Sequence, residues 1–512
     1  MADFSLIDVS AISLRRNQPE WSAKALAIYS FKFPFEIISE ILLHACQVER
    51  KGDRPIFSKT PLFLCQVCKA WKRYIITTPA FWTTIIVVLR KSDLRSVNVS
   101  SGLSRWLRRS SNQPLDIFLD GVGAFQSGTA RSLEPLKLIA SARARWRTME
   151  FHCISSRVCE LLAGMVDKDF TENPGNPPLC KYPNLISFAS TARTSHTMSP
   201  FDLNDAKLLK TLMVNGCPPS FTGLLFHRVA NITKISMRNI EGMPSGRVLS
   251  WYPNLKEGTF VNIQVHEAFQ AFSDDKVTHE NLQSLTIDGE RWRDVVCLFH
   301  TLSAPQLETL ALDIDITPNT NIMQDIHALI LRSTCNLTHL HIPLVSTEEM
   351  ALTKMLSLTP NLRKLHIRQL DCSNHSRGLS RMFFDSFYPL TSTTSTFLPN
   401  LQNLNYSGNL SVDSIDFLEP LVLRARMLPM GHHLPSSTRA DEPTFPSVGP
   451  SAAPTRKLAF AKIKANKAAF SFKDQNGEDM SDFMFQVITL VEADRLWLMN
   501  ENGRPWFPKN VH

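Results

Sequence analysis

A short apolar pattern recurs along the middle of the chain. Each copy has apolar residues at its first, fourth and sixth positions, as at Leu282, Leu285 and Ile287. Because apolar residues at alternate positions are typical of strands, each copy predicts a short strand with one buried face. Gly258 interrupts one copy, and successive first positions lie 23 to 39 residues apart. The nine first positions are Leu185, Leu209, Ile232, Leu255, Leu282, Leu307, Leu337, Leu362 and Leu401.

The spacing of the copies also predicts how the strands are arranged. A repeat of this length cannot bury its own apolar side chains, so consecutive repeats must stack on one another. The apolar pattern and the spacing of its copies resemble those of leucine-rich repeats. The resemblance implies an α/β fold, a curved solenoid with parallel strands on its concave face and helices and turns outside. Weaker copies at 114–120 and 146–152 extend this solenoid, which we place at residues 83–425. Helices are predicted between the early strands, at 101–110, 132–144 and 156–165.

Residues 31–82 lack the repeat pattern and predict two amphipathic helices instead. Pro34 suits the first position of a helix because its φ angle is fixed. A second helix is predicted from Thr60, an N-cap before Pro61, up to Thr78. The first helix has Ile37, Ile38, Ile41, Leu42 and Ala45 on one face, and the second has Leu64, Val67, Cys68, Trp71 and Ile75.

Three motifs in this segment resemble those of an F-box. They are Phe-Pro-Phe-Glu-Ile-Ile-Ser-Glu-Ile at 33–41, Val-Cys-Lys-Ala-Trp-Lys at 67–72 and Pro-Ala-Phe-Trp at 79–82. Phe33 stands where the family has leucine, and residues 48–60 form a polar insert between the two helices. With the repeats that follow, the layout resembles the F-box and leucine-rich-repeat proteins that are common in fungi.

The resemblance implies a non-catalytic role in protein degradation. An F-box is a short all-helical unit that docks on a Skp-family adaptor, and through it on a cullin-RING ubiquitin ligase. The solenoid would hold a protein substrate, whose identity the sequence does not give. The residues that the resemblance implies in adaptor binding are Pro34, Glu36, Ile37, Ile38, Ile41, Val67, Cys68 and Trp71.

Another interpretation of residues 31–82 stays open on the sequence alone. Ile37, Ile41, Val67 and Trp71 could serve only to cap the first repeat of the solenoid. The chain would then be a repeat scaffold that binds proteins without any ligase. A unit of about 50 residues has a marginal core and tends to need a partner, which favours the docking interpretation.

The polar positions of the repeat strands predict where a substrate binds. Side chains between the buried positions face the other side of the sheet, and neighbouring strands bring them into rows. His341 and His366 fall on adjacent predicted strands, with Asp288 and Asp313 nearby, so we expect a polar face for a peptide. The alternative is an ordinary solvated sheet face. The candidate substrate-binding residues are Lys234, Arg238, Asp288, Asp313, His339, His341, Lys364, His366 and Arg368.

The net charge of +8 comes from the N-terminal part of the chain, because residues 1–150 contain 22 Lys and Arg but only 12 Asp and Glu. This excess, with Trp106 and Trp146 beside it, could serve nucleic acid. Basic residues on an exposed helix face explain this excess more simply, and an acidic protein partner would suit the same positive charge. We therefore expect no nucleic-acid partner. The arginines concerned are Arg105, Arg108, Arg109, Arg143, Arg145 and Arg147.

Two clusters raise the question of cofactor chemistry. His44, Cys46, Cys65 and Cys68 are zinc-ligand types, but both pairs fall inside predicted helices rather than on tight turns. The glycines at 121, 123 and 128 lack the spacing of a dinucleotide loop and suit a turn between repeats. No hydrolase, phosphate-loop or metalloprotease motif is present in the sequence. We therefore expect no catalysis, no cofactor and no metal.

The remaining features concern location and the two ends of the chain. Ten scattered cysteines are expected to be free thiols, and no apolar run approaches the ~18 residues that span a bilayer. Without a signal peptide, the protein is expected in the cytoplasm, the nucleus or both, with no membrane partner. Residues 1–30 form an extension, and the Pro- and Ser-rich residues 426–456 predict a disordered linker. Residues 457–512, basic and then amphipathic with a helix at 480–498, have no assigned role.

Overall fold

A computed structural model gives the chain a mixed α/β architecture with a large parallel sheet of 14 strands. The chain divides into two compact units, which we call the N-terminal unit (1–243 and 251–255) and the C-terminal unit (244–250 and 256–512). The residues that the structure describes are 34–46, 48–51, 54–57, 60–88, 97–121, 133–152, 154, 156–172, 181–191, 203, 206–216, 231–241, 249–264, 276–289, 293–314, 321–344, 348–369, 378–387, 397–410, 414–426, 460–465, 487–488, 490–491, 496–499 and 505.

The N-terminal unit begins with helices and continues into alternating strands and helices. Its strands from β3 onward run parallel in chain order, whereas β1 and β2 pair antiparallel with each other. In chain order its elements are α1 (Phe35–Ala45), β1 (Val48–Lys51), β2 (Arg54–Phe57), α2 (Pro61–Leu64), α3 (Lys69–Thr77), a 3-10 helix (Pro79–Trp82), β3 (Thr84–Val88), α4 (Val97–Arg109), β4 (Leu115–Asp120), α5 (Glu134–Ser141), β5 (Trp146–His152), α6 (Ser156–Glu172), β6 (Ser187–Thr191), β7 (Thr211–Asn215) and β8 (Lys234–Glu241).

The C-terminal unit continues the alternation of strands and helices. Its strands also pair parallel in chain order, except that β10 and β12 form a separate two-stranded pair. In chain order its elements are β9 (Glu257–Gln264), β10 (Val277–Thr278), β11 (Ser284–Gly289), α7 (Arg293–Thr301), β12 (Leu302–Ser303), β13 (Thr309–Ile314), α8 (Ile322–Ser333), β14 (His339–Leu344), α9 (Glu349–Ser357), β15 (Lys364–Gln369), α10 (Arg381–Asp385), β16 (Asn403–Gly408), α11 (Ser414–Arg426), β17 (Phe460–Ala465) and β18 (Leu496–Met499).

The predicted repeat strands are confirmed. Each of the nine begins two residues after its first apolar position, so that Leu282, for example, precedes β11. All nine first side chains are at most 1% exposed, and the fourth and sixth positions, such as Leu285 and Ile287, are buried with them where they are apolar. Gly258 does not prevent β9 from forming, because it pairs with Leu285 of β11. The weaker copies form β4 and β5, and the three early helices form α4, α5 and α6.

Long polar side chains join successive repeats. Arg145 Nε donates to the carbonyl of Gln113 at 3.0 Å, and Arg332 Nε donates to that of Leu302 at 2.8 Å. Asn184, just before a repeat pattern, donates in the same way to a main-chain carbonyl 40 residues earlier at 2.7 Å. Gln113 and Leu302 follow α4 and α7, so the arginines satisfy main-chain acceptors in the segments that come after these helices.

Two predicted helices differ from the structure. The helix expected from Thr60 to Thr78 is split, because Cys68 has extended backbone at φ −157° and caps a new helix, α3, by accepting the Trp71 N–H at 3.4 Å. The helix expected at 480–498 is wrong at its end, since Leu496–Met499 is strand β18. Residues 460–465 and 496–499 extend the sheet beyond β16 as β17 and β18. A local helical period could not reveal this pairing.

Several predicted features lie outside the described residues. These are the extension at 1–30, Phe33, the linker from 427 onward and the glycines at 123 and 128. The polar insert at 48–60 contains β1 and β2, which pair as a short antiparallel sheet. Among the helices that the structure describes, none has the length and apolar character needed to cross a membrane.

Candidate functional site

Helix α1 has one buried side and one exposed apolar side. Leu42 is 2% exposed and belongs to a small core with Leu64, Ile75, Phe81 and Trp82. Ile37 and Ile41, four residues apart and therefore on one face, are 47% and 58% exposed. We call these two side chains the outer stripe. Pro34 and Glu36 are also exposed, and Ile38 is half-buried.

The buried side of α1 is held by specific contacts. Ser39 Oγ is hydrogen-bonded to the Tyr74 hydroxyl of α3, and the Tyr74 ring packs edge-on against Phe81 with 5.6 Å between centroids. Trp82 Nε1 donates to the Ile75 carbonyl at 2.8 Å, which ties the 3-10 helix to α3. Because the helix is fixed in this way, exposure of the outer stripe reflects the packing of α1 and not a frayed end.

The second predicted motif contributes packing rather than an outward surface. Val67, Cys68 and Trp71 are all half-buried. Cys68 caps α3, and the Trp71 ring packs on the small core while its Nε1 has no hydrogen-bond partner in the described structure. Phe63 of α2 is 45% exposed and was not predicted as a site residue. No local pattern in the sequence distinguishes Phe63, which lies next to the buried Leu64 in a helix of one turn.

Cys46 and Cys65 are held as protonated thiols. Burial raises the pKa of Cys46 to about 12, and burial also raises the pKa of Cys65. His44, another candidate zinc ligand, is exposed at the end of α1. Among the described side chains, no three His, Cys, Asp or Glu residues are grouped closely enough to hold a metal ion.

The basic cluster at the front of the chain is largely engaged in the fold. Trp146 is 1% exposed and donates to the Ile139 carbonyl at 3.2 Å, so its ring presents no face for stacking on a base. Arg147 forms an ion pair with Asp116, and the guanidinium of Arg109 lies 4.4 Å from the centroid of the Trp82 ring. These contacts fix α4 and β5 rather than forming a site.

The polar candidates of the C-terminal unit lie on the side of the sheet opposite the buried apolar positions. We call the side chains of β11 to β18 on this side the open face. Register pairs His341 of β14 with His366 of β15, and their rings stack with centroids 4.0 Å apart and planes 15° from parallel. Stacked rings place their nitrogens side by side rather than converging on one point, so the pair forms a flat platform.

An ion pair crosses the open face beside this platform. Arg368 Nη1 on β15 reaches across β14 to Asp313 Oδ1 on β13. Pro343 lies on β14 between them, paired with Arg368, and it has no N–H to donate. The pairing of β13 with β14 stops at Ala311 and His341, whereas β14 and β15 stay paired to their ends. The arginine therefore bridges the place where the sheet ladder opens.

The two histidines are held in the neutral form. Burial is the main cause that lowers the pKa of His366, to about 4, and the neighbouring His341, Lys462 and Arg368 lower it further against the opposing pull of Asp313. Burial also lowers the pKa of His341. His341 Nε2 has no hydrogen-bond partner among the described groups. At neutral pH the platform is therefore uncharged.

The structure adds side chains to the open face that sequence reasoning did not include in the site. Register places Asn405 of β16 beside His366, then Lys462 of β17, then Trp497 of β18, which is 36% exposed. For Lys462 and Trp497 the missing signal was the pairing of β17 and β18 with the sheet, since nothing local to residue 462 relates it to residue 366.

The remaining predicted candidates are distributed over both units. His339 and Lys364 pair with each other one row away from the histidine platform, and Asp288 pairs with Asp313 on the acidic side of the open face. Lys234 and Arg238 lie on β8 in the N-terminal unit, where Lys234 pairs with Thr211 and Arg238 with Asn215. Seven of the nine candidates thus share the open face of the C-terminal unit.

Comparison with known proteins adds little to this picture. No protein-family model matches the sequence, and no curated protein matches it. Among solved structures, the chain is similar to a protein from Bacteroides fragilis with 15% sequence identity and a TM-score of 0.30. That match covers 55% of this chain and 73% of the other. A likeness this weak carries no argument about fold or function.

Proposed function

We propose that the chain is the substrate-recognition subunit of a Skp-cullin-F-box type ubiquitin ligase. In this proposal residues 31–82 are an F-box-like unit, and the repeats form a leucine-rich-repeat solenoid. Helix α1 docks on a Skp-family adaptor, and the open face binds a protein substrate. The chain itself performs no catalysis, because the transfer of ubiquitin belongs to its partners.

The observation that carries the proposal is the outer stripe. Completely burying an isoleucine side chain is worth roughly 1.5–3 kcal/mol, so covering the exposed half of Ile37 and of Ile41 would contribute about 1 kcal/mol each. Both side chains lie on a helix whose other side is fixed in the small core. A groove on a second protein is the usual partner of such a helix face.

The same observation weighs against the capping interpretation. If α1 only covered the end of the first repeat, Ile37 and Ile41 would be buried against this chain. They are among the most exposed large apolar side chains in the described structure. The arrangement supports docking on a separate protein.

Co-purification with a Skp-family adaptor tests the proposal. Full-length chain with Ile37→Asp and Ile41→Asp is expected to lose adaptor capture at least tenfold, because two charges would be buried in the interface without partners. The matched control is Ile186→Asp with Leu208→Asp, which changes two apolar residues of the same unit that are 38% and 48% exposed.

The control variant is expected to capture the adaptor as the unchanged chain does. Circular dichroism should show the same folded signal for all three proteins. Failure of the unchanged chain to capture any Skp-family adaptor would contradict the proposal and leave a repeat scaffold. Equal capture by the Ile37 and Ile41 variant would show that the outer stripe is not the docking surface.

A further inference from the structure

On the open face, side chains that donate hydrogen bonds lie together on β15, β16 and β17. Lys364 and His366 come from β15, Asn405 from β16 and Lys462 from β17, and register brings these strands side by side. The acidic side chains of the open face, Asp288 and Asp313, come from β11 and β13 at the other side of the histidine platform. The charges on this face are therefore separated, with its cations on β15 to β17.

The two lysines lie apart from the acidic side chains of the open face. Within the described structure neither Lys364 nor Lys462 has an ion-pair partner, whereas Arg368 is already paired with Asp313. Lys364 is exposed and Lys462 is half-buried. A pair of unpaired cations beside amide donors is a surface complementary to negative charge.

The distance between the two lysines indicates how far apart the negative groups of a ligand lie. Register puts Lys462 two strands and two residues away from Lys364, which corresponds to a separation of roughly 12 Å at 4.8 Å per strand and 3.3 Å per residue. In an extended peptide, side chains four residues apart point to the same side and span about the same distance. Several carboxylates along a peptide match two separated cations better than one compact phosphate, because each lysine then has its own counter-ion.

We propose that the open face of β15 to β17 binds an extended acidic segment of a protein, with carboxylates four residues apart opposite Lys364 and Lys462. This inference deepens the proposed function by giving the chemistry of the substrate segment, and it rests on that function only in calling the ligand a substrate. His366 and Asn405 lie in the same row as Lys462 and donate hydrogen bonds to the same segment.

The electrostatics around His366 provide a direct readout of binding. The groups that face this imidazole are His341 on β14, Arg368 on its own strand, Lys462 on β17 and Asp313 on β13. Three of them disfavour its charged form, and burial does too. A carboxylate bound beside it favours the imidazolium, so ligand binding is expected to raise the pKa of His366.

Fluorescence anisotropy with synthetic peptides tests the inference on the full chain. The probe is a rhodamine-labelled nine-residue peptide with five consecutive glutamates, compared with the same peptide carrying glutamines. At low salt the glutamate peptide is expected to bind at least tenfold more tightly. Lys364→Glu with Lys462→Glu is expected to weaken its binding at least tenfold, and titration by NMR should show a raised His366 pKa in the complex.

A matched variant separates a local site from overall charge. Lys276→Glu with Lys354→Glu makes the same change in net charge with two exposed lysines of the same unit that lie off the open face. It is expected to change the affinity less than threefold, and Lys462→Gln serves as a milder variant if the double reversal fails to fold. Equal loss in both double variants, or no preference for glutamate over glutamine, overturns the inference.

Two further probes decide the class of ligand. A nine-residue peptide with a single phosphoserine and a nine-nucleotide single-stranded DNA are both expected to bind at least fivefold more weakly than the glutamate peptide. If either binds as tightly, the acidic-peptide assignment is wrong. Adaptor capture by the Lys364 and Lys462 variant should be unchanged, so failure of this inference and failure of the ligase proposal give different results.

Discussion

The outer stripe of α1 and the open face of the C-terminal unit are both exposed, but they differ in what the fold does with their side chains. Ile37 and Ile41 leave about half of their apolar surface exposed, whereas on the open face His341 stacks on His366 and Arg368 pairs with Asp313. An uncovered apolar pair on a fixed helix suggests a partner. A polar sheet face suggests a partner only where it carries unpaired charges of one sign.

The largest change in unfolding free energy is expected from a substitution on the buried side of α1. Leu42 and Ile41 are adjacent, but they are 2% and 58% exposed. Leu42→Ala should cost about 2–5 kcal/mol of unfolding free energy for residues 34–82 because it leaves a cavity, and Ile41→Ala should cost no more than about 0.5 kcal/mol. Hydrogen exchange of α1 and α3 measures both. Similar losses for the two variants would show that the outer stripe is buried in solution.

A smaller effect is expected from acid on the open face. His366 has a folded pKa of about 4, below the ~6.5 of an unfolded histidine, so the unfolded chain binds more protons between these values. Unfolding free energy should therefore fall as pH decreases from 6.5 to 4. We expect His366→Gln to remove about 1–2 kcal/mol of that loss, because His366 is half-buried rather than enclosed.

Urea unfolding at pH 7.5 and pH 4.5 measures this effect. His44→Gln, which changes an exposed histidine of α1, is the control and should leave the acid sensitivity as it is. If His366→Gln is as acid-sensitive as the unchanged chain, the imidazole is not held neutral by its surroundings.

The smallest effect is expected for the ion pair beside the platform. Arg368 and Asp313 are each about two-fifths exposed, and exposed pairs typically contribute 0.2–1 kcal/mol. Arg368→Met should lower the unfolding free energy by less than about 1 kcal/mol and lower it less at high salt. A loss of several kcal/mol would mean that the bridge over Pro343 holds β13 and β14 together more strongly than its exposure suggests.

Sequence reasoning succeeded where the information is local. Leu282 and the eight other first positions could be placed in the core because a two-residue alternation in a repeat requires one buried face. The apolar side of α1 was found in the same way, although periodicity could not tell that Leu42 faces the small core while Ile41 faces outward. That division depends on which side α3 covers, a contact between residues more than 30 positions apart.

Failures arose where distant contacts decide the structure. The burial of Trp146 was not visible in the sequence, because it depends on the contact of its indole with the Ile139 carbonyl in α5. The apolar period at 480–498 predicted a helix, yet residues 496–499 pair with β17 in the sheet. For the same reason Lys462 could not be assigned to the open face, since only strand pairing brings it near His366.

The late strand β17 also has a consequence for how the protein is made. Roughly fifty residues separate the end of β16 from the start of β17, which corresponds to about 3–10 s of translation. During that time β16 lacks its final neighbour, and a strand with an unpaired edge is a template for aggregation. A pause in synthesis after β16 has left the ribosome and before β17 follows therefore prolongs the period in which the nascent chain needs protection by a chaperone.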